Sequence, residues 1–216
     1  MDNLEKYIEH TLLKQDAAAE ELQKLYDEAR QFNFLGVCVN PCNVKNAKKA
    51  LKGTDVKVVT VVGFPLGANV PAVKAFEART AVSDGADEID MVINVSALKN
   101  KDYNSVLTDI KSVKAACSNH PLKVILETDL LTKDEIKKAC ELCVEGGADF
   151  VKTSTGFVKN GVGAKAEDVE LMHVNVAPHG LQVKASGGIR DKQTAEAMVN
   201  AGAVRLGTSS GVKIVS

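Results

Sequence analysis

Short apolar runs rich in valine and isoleucine alternate with longer amphipathic stretches along the 216-residue chain. Eight runs follow one another, roughly Tyr7–Leu13, Phe34–Val39, Val56–Val62, Glu88–Ile93, Lys123–Glu127, Asp149–Ser154, Gln182–Ser186 and Val204–Gly207. Short runs of β-branched residues are typical of strands, and the stretches between them have helical spacing. Since strands buried on both faces are apolar throughout, the alternation predicts repeated βα units around a parallel sheet.

A glycine-alanine pair joins a helical stretch to the next apolar run at three places, Gly85-Ala86-Asp87, Gly147-Ala148-Asp149 and Gly202-Ala203-Val204. Glycine adopts the left-handed conformation that ends many helices, and alanine lets a strand begin close against the helix. Helix starts are marked as well. Asp16 is the predicted N-cap of a helix to about Gln31, and Thr132 with Glu135 matches a capping box.

Two architectures accommodate eight βα units, an open doubly wound sheet and a closed barrel. The first run is not followed by the Gly-x-Gly-x-x-Gly turn of dinucleotide-binding sheets. Polar residues follow the carboxyl ends of several runs, which is typical of barrels, namely Asn40, Asn94, Glu127, Ser154, Ser186 and Ser209. We therefore predict a single (β/α)8 TIM barrel over residues 1–216, with a very short final helix.

Composition argues against several classes of partner. The net charge of −1 and the aromatic content of 4% do not favour a nucleic-acid surface. No apolar run reaches the roughly 18 residues of a membrane-spanning helix. The charged segment Met1–Lys6 predicts that there is no secretory signal, and the odd number of five cysteines favours reduced thiols. We expect a cytoplasmic protein with no nucleic-acid or membrane partner.

Two lysines lie inside apolar runs and are each followed two residues later by a serine. Lys152 precedes Ser154 in the sixth run, and Lys184 precedes Ser186 in the seventh. In a barrel these runs are neighbouring strands, so the two ammonium groups would repel each other and one amine would stay neutral. A neutral lysine amine is a nucleophile toward carbonyl groups. The alternative interpretation is a pair of solvated lysines at a sheet edge.

Acidic residues accompany these lysines. Asp90 lies inside the apolar run Glu88–Ile93, and a buried carboxylate requires a cation such as Lys152 or Lys184. The functional interpretation is a proton shuttle, and the alternative is a purely structural ion pair. Glu9 and Glu127 are further candidates for the same network.

Glycine-rich turns follow the seventh and eighth runs. Gly187-Gly188 and the segment Gly207–Gly211 occupy the positions that form the usual phosphate site of such barrels, although ordinary turn glycines are the alternative. No metal site is predicted, because the histidines lack ligand spacing and Cys140 and Cys143 fall within an amphipathic helix. Cys38, near the end of the second run, is a candidate aldehyde-reactive thiol.

The motifs Lys152-Thr153-Ser154-Thr155-Gly156-Phe157, Lys184-Ala185-Ser186-Gly187-Gly188-Ile189-Arg190 and Glu88-Ile89-Asp90-Met91-Val92 resemble those of the deoxyribose-phosphate aldolase family, and the resemblance spans nearly the whole chain. It implies a class I aldolase on a (β/α)8 barrel that needs no metal or other cofactor. The implied reaction is the reversible cleavage of 2-deoxy-D-ribose 5-phosphate to D-glyceraldehyde 3-phosphate and acetaldehyde.

The resemblance also implies individual roles. Lys152 corresponds to the Schiff-base lysine of the family, Lys184 to its second lysine and Asp90 to its proton-transfer acid. The implied phosphate contacts are Gly156, Gly187, Gly188, Ser209 and Ser210. Some members of the family carry lysine where this chain has Phe157, so one phosphate-binding cation is absent here.

Three alternative functions remain open at this point. A phosphosugar isomerase would use a carboxylate base, a non-catalytic barrel would bind a sugar phosphate without turnover, and a metal-dependent aldolase would be inhibited by a chelator. The expected partners are a sugar phosphate and aldehydes. The sequence does not fix the oligomeric state, and the expectation is a homodimer or a tetramer.

Overall fold

The computed structural model describes residues 3–216, so Met1 and Asp2 of the charged N-terminal segment lie outside the described residues. Eight parallel strands form a closed barrel, which confirms the predicted (β/α)8 architecture and excludes the open sheet. The strands are β1 Ile8–Leu12, β2 Gly36–Val39, β3 Lys57–Val62, β4 Glu88–Val92, β5 Leu122–Ile125, β6 Phe150–Lys152, β7 Gln182–Ser186 and β8 Ala203–Thr208.

Each strand pairs with its neighbour in the sequence, and β8 closes the ring by pairing with β1. The register decides which side chains meet inside the barrel. Lys152 of β6 lies opposite Lys184 of β7, and Asp90 of β4 lies opposite Lys123 of β5. Since successive side chains point to opposite faces of a strand, this register fixes which charged side chains can meet inside the barrel.

Helices cover the outside of the barrel within residues 3–216. They are α1 Ala19–Gln31, α2 Val44–Ala50, α3 Pro71–Ser83, α4 Val95–Lys99, α5 Tyr103–Ala116, α6 Lys133–Glu145, α7 Ala166–Val176, α8 Lys192–Asn200 and α9 Gly211–Val215. The five-residue α9 confirms the very short final helix. In the described part of the chain, no helix is both long and apolar enough to cross a membrane.

Of the two helix starts marked in the sequence, the one at Thr132 is confirmed and the one at Asp16 is wrong. The capping box of α6 is present, because Thr132 Oγ1 accepts a hydrogen bond from Glu135 N and Glu135 Oε2 accepts one from Thr132 N. The predicted N-cap at Asp16 is wrong, since α1 begins at Ala19. There the Glu21 carboxylate accepts a hydrogen bond from Ala18 N at 2.9 Å and satisfies the helix end without an N-cap side chain.

The apolar core has two parts. The larger part fills the space between the strands and the helices, and it includes the fully buried Ile89, Leu122 and Val151. The smaller part is a cluster of Leu13, Cys38, Val59 and Val61, with Phe64 packed against it. The larger core fixes the helices onto the barrel, and it thereby holds in place the strands that carry the charged side chains.

Candidate active site

The two lysines singled out in the sequence meet at a single carboxylate oxygen. Lys152 Nζ and Lys184 Nζ each donate a hydrogen bond to Asp90 Oδ2 at 2.7 Å. Lys152 is 3% exposed, and the side chains of Lys184 and Asp90 are fully buried. The structure therefore brings these three residues together from β4, β6 and β7, and the two amines do not face different compartments.

Four more charged side chains surround this group. Lys123 Nζ lies 3.0 Å from Asp90 Oδ1 and 2.6 Å from Glu88 Oε2. Lys184 contacts Glu9 directly, and Arg205 Nε lies 3.7 Å from Glu9 Oε1. We call the resulting set the charge cluster; its members are Glu9, Glu88, Asp90, Lys123, Lys152, Lys184 and Arg205.

Opposite charges in the cluster stabilise each other against the cost of burial. Burial raises the pKa of Asp90, but the surrounding side chains of Lys123, Lys152 and Lys184 outweigh it and hold the pKa well below its usual value. Burial lowers the pKa of Lys184, but the carboxylates of Asp90 and Glu9 outweigh it and raise the pKa above its ordinary value. Asp90 is therefore held as a carboxylate, and Lys184 is held as an ammonium ion.

The remaining buried pair behaves in the same way. Burial raises the pKa of Glu9, but Lys123 and Lys184 outweigh it and lower the pKa below its ordinary value. Burial lowers the pKa of Lys123, but the carboxylates of Asp90 and Glu9 raise it above its ordinary value. The inner part of the cluster is therefore a set of fixed charges that surrounds Asp90.

A cleft of about 410 Å³ opens at the carboxyl ends of β1, β6, β7 and β8. Lys152 lines it, together with Ser154 and Ser186, the serines that follow the two lysines. Hydrogen bonds tie these strand ends together, because Thr153 Oγ1 donates to Ser186 O at 2.9 Å and Ser186 Oγ donates to Ser154 O at 2.6 Å. The amine of Lys152 is thus presented to the cleft on a rigid frame.

The predicted phosphate residues lie mainly along the same cleft. Gly156, Gly187, Gly188 and Ser209 line it, whereas Ser210 is the next residue along the chain and is not a lining residue. Gly188 has φ +75°, and a Cβ there would lie 2.3 Å from Val162 O, so only glycine fits. Two cationic side chains, Lys14 and Arg190, also line the cleft. The site therefore combines exposed glycine backbone with positive charge, a combination that suits an anion.

Sequence reasoning missed three members of the charge cluster, Glu88 and the two basic residues Lys123 and Arg205. Lys123 begins the fifth apolar run, so the argument that identified Lys152 applied to it equally. Arg205 lies within β8, opposite Lys184 in the register of the neighbouring strand. A lysine or arginine inside an apolar run was therefore an available signal in both cases.

Two further candidates fall in different places. Glu9 belongs to the charge cluster, as expected, whereas Glu127 bonds to Thr155 and contacts no member of the cluster within hydrogen-bond distance.

Cys38, the candidate aldehyde-reactive thiol, is fully buried. Burial raises the pKa of its thiol, even though Lys184 and Lys152 lie near enough to lower it. Within residues 3–216, no group of three or more His, Cys, Asp and Glu residues has a metal-binding arrangement.

The chain is similar to known proteins along nearly its whole length. Residues 6–216 match the model of the DeoC/LacD family aldolase. Deoxyribose-phosphate aldolase of Staphylococcus carnosus is 55% identical over 210 residues, covering 97% of this chain and 94% of that protein. The enzyme of the same name from Brevibacillus brevis is 56% identical over 214 residues, covering 99% of this chain and 96% of that one.

A solved structure agrees with these sequence relatives. The tetrameric deoxyribose phosphate aldolase from Aeropyrum pernix superimposes with a TM-score of 0.90 at 34% identity. The match covers 98% of this chain and 89% of that chain. The match to the family model and the identity to its relatives extend over nearly the whole chain, including every strand that carries the charge cluster. The chain therefore belongs to the DeoC/LacD aldolase family.

Proposed function

We propose that the protein is a class I aldolase that reversibly cleaves 2-deoxy-D-ribose 5-phosphate to D-glyceraldehyde 3-phosphate and acetaldehyde. The observation that carries this proposal is the shared oxygen of Asp90, which Lys152 and Lys184 both contact at 2.7 Å. Family membership supports the same chemistry, since the sequence relatives described above are named deoxyribose-phosphate aldolase.

Lys152 is the proposed nucleophile because, of the three lysines in the charge cluster, it is the one that lines the cleft. Imine formation requires an amine without its extra proton. The cluster holds one more cationic than acidic side chain, so it becomes neutral when one amine loses a proton. Lys123 lies within ion-pair distance of three carboxylates and Lys184 of two, whereas among the described residues Lys152 pairs with Asp90 alone, so we assign the neutral amine to Lys152.

The proposed reaction begins when the Lys152 amine adds to the aldehyde carbon C1 of the open-chain sugar. The carbinolamine loses water and becomes a protonated imine, which draws the electron pair of the C2–C3 bond. That bond breaks, the C3 hydroxyl gives up its proton, and C3 leaves as the aldehyde of glyceraldehyde 3-phosphate. The enamine that remains is protonated at C2, and hydrolysis of the imine then releases acetaldehyde and regenerates Lys152.

Asp90 is the proposed proton carrier for dehydration and for enamine protonation, directly or through water. Its carboxylate accepts hydrogen bonds from both amines, so a proton can pass along a path that ends at Lys152. Lys184 is proposed to keep its charge, to disfavour a second charge on Lys152 and to fix the orientation of Asp90. The glycine turns, with Ser209 and Ser210, are proposed to bind the phosphate.

The partner is accordingly a sugar phosphate together with its aldehyde products. We also propose a cytoplasmic location, in keeping with five unpaired cysteines. A homodimer or a tetramer is proposed as well, and the solved relative from Aeropyrum pernix is a tetramer.

The test is a cleavage assay that detects glyceraldehyde 3-phosphate in the presence and absence of a chelator. We expect turnover that the chelator does not change and that Lys152→Met abolishes. Lys138→Met is a matched control, because Lys138 is a partly exposed lysine on α6 that pairs with Glu141, away from the cleft. Full activity in Lys152→Met would refute the scheme, and loss of activity with chelator would favour a metal-dependent aldolase.

A further inference from the structure

Glu127 has an unusual backbone conformation for a residue with a side chain. It lies just beyond the carboxyl end of β5 with φ +61°, in the left-handed region that non-glycine residues seldom adopt. Its side chain is also buried, with the residue 4% exposed. Strained residues persist where the surrounding structure holds them in place, and they are concentrated at functional sites.

Both carboxylate oxygens of Glu127 bind the same threonine. Oε1 accepts a hydrogen bond from Thr155 N at 3.1 Å, and Oε2 accepts one from Thr155 Oγ1. Thr155 Oγ1 in turn accepts a hydrogen bond from Phe157 N at 3.0 Å. The Glu127 carboxylate therefore fixes the turn of residues 155–157 through the backbone N–H and the hydroxyl group of Thr155.

This turn is one wall of the catalytic cleft. Thr155, Gly156 and Phe157 line the cleft together with the glycine turn after β7. The Phe157 ring packs edge-on against Phe64, with the ring centroids 5.1 Å apart. The turn is thus held at two points, by Glu127 from β5 and by Phe64 from the segment after β3.

Holding the turn in this way has an energetic cost. Burial raises the pKa of Glu127, and the hydrogen bonds from Thr155 lower it only in part. Within residues 3–216, no cation forms an ion pair with Glu127 that would offset this cost. A buried carboxylate on a strained backbone contributes little to folding by itself, which points to a role in shaping the cleft.

We propose that Glu127 is a positioning residue that orients the turn of residues 155–157 toward the phosphate-bearing end of the substrate. This inference rests on the aldolase function proposed above. Glu127 acts through Thr155 and does not transfer protons. Its loss therefore weakens recognition of the phosphorylated sugar and leaves imine formation at Lys152 in place.

The test compares 2-deoxy-D-ribose 5-phosphate with unphosphorylated 2-deoxy-D-ribose. The ratio of their kcat/KM values measures the discrimination due to the phosphate. Since hydrogen bonds to a charged group are lost, Glu127→Ala is expected to lower this ratio about tenfold or more, mainly through KM for the phosphorylated sugar. Glu141→Ala, a change at an exposed glutamate on α6, is the control and should leave the ratio unchanged.

Two more variants separate the side chain from the backbone. Glu127→Gly removes the carboxylate, and glycine adopts a positive φ without strain. This variant therefore tests the role of the carboxylate even if Glu127→Ala folds poorly. It should lower the ratio as Glu127→Ala does. Glu127→Gln keeps an oxygen for Thr155 N and an N–H for Thr155 Oγ1, and it should retain the ratio within about threefold.

Three results would overturn the inference. One is an unchanged ratio in Glu127→Gly, another is an equal loss for both sugars in Glu127→Ala, and the third is a large fall of kcat in Glu127→Gln for both sugars. Borohydride reduction in the presence of acetaldehyde, which carries no phosphate, separates this inference from the proposed function. If the unaltered protein forms no adduct with acetaldehyde, the aldolase function itself fails.

Discussion

Replacing Lys123 with methionine tests whether the buried charges stabilise one another as the structure indicates. The Lys123 amine lies 2.6 Å from Glu88, 3.0 Å from Asp90 and 3.6 Å from Glu9, and these residues are at most 3% exposed. Methionine keeps most of the apolar stem, so the change removes mainly the charge. The three carboxylates would then share the remaining cations.

The expected loss of stability follows from these distances. At an effective dielectric constant of about 20, two unit charges about 3 Å apart attract by about 5 kcal/mol before desolvation is subtracted. Removal of one partner from a buried ion pair typically costs about 3–5 kcal/mol, because the other charge stays buried without compensation. We therefore expect Lys123→Met to lose about 3–5 kcal/mol of unfolding free energy.

Urea unfolding at neutral pH measures this loss, with Lys138→Met as the control. Lys138 Nζ lies 2.8 Å from Glu141 Oε2 on the surface, and exposed pairs of this kind contribute less than about 1 kcal/mol. Adding Glu88→Gln to Lys123→Met should restore part of the loss, because it removes one uncompensated carboxylate. The account of the charge cluster would be wrong if Lys123→Met were no less stable than Lys138→Met.

Lys123→Met should also change how the stability of the fold depends on pH. The folded-state pKa of Asp90 is held well below its unfolded value. This difference stabilises the fold above the unfolded pKa, and the stabilisation is lost as the pH falls through the folded pKa. Removing Lys123 takes away one of the cations that lower the pKa of Asp90. Acid unfolding of Lys123→Met should therefore begin at a higher pH than that of the unaltered protein, and an unchanged acid midpoint would contradict this linkage.

Three further predictions follow from the site and the fold. Lys184→Leu should lose most of its cleavage rate and move the pH optimum upward, because one positive charge near Lys152 is removed; an unchanged pH profile would exclude this electrostatic role. Asp90→Asn should lower kcat about a hundred- to ten-thousandfold, the usual contribution of a positioned proton carrier, and a kcat within threefold of the original would remove Asp90 from the mechanism. Thr132→Ala should cost about 1 kcal/mol in urea unfolding through loss of the α6 cap, with no change in kcat.

The barrel was predictable because the sequence pattern of its βα units repeats along the chain. Each strand is buried on both faces, so each appears as an apolar run, and the glycine-alanine joints recur where helices lead into strands. The helix α4, Val95–Lys99, was not predicted because five residues are too short to show helical periodicity. Its start depends on Asn94, whose side chain accepts a hydrogen bond from Ala97 N at 3.0 Å.

The site was predictable to the extent that burial of charge is visible in a sequence. Lys152, Lys184 and Asp90 lie inside apolar runs, where a charged residue needs a partner or a task. The contact of Lys123 with Asp90 depends on the register of β4 and β5, which the sequence does not specify. The contact of Glu127 with Thr155 depends on a left-handed backbone at position 127, which a glutamate in the sequence does not indicate.

Reductive trapping tests the central claim most directly. Borohydride is added to the protein in the presence of acetaldehyde, and the modified residue is located by mass spectrometry of peptides. We predict one ethyl group, carried by the Lys152 side chain and absent when borohydride is added without acetaldehyde. An adduct on Lys184 or Lys123 in place of Lys152, or no adduct in a protein that cleaves the sugar phosphate, would contradict the account.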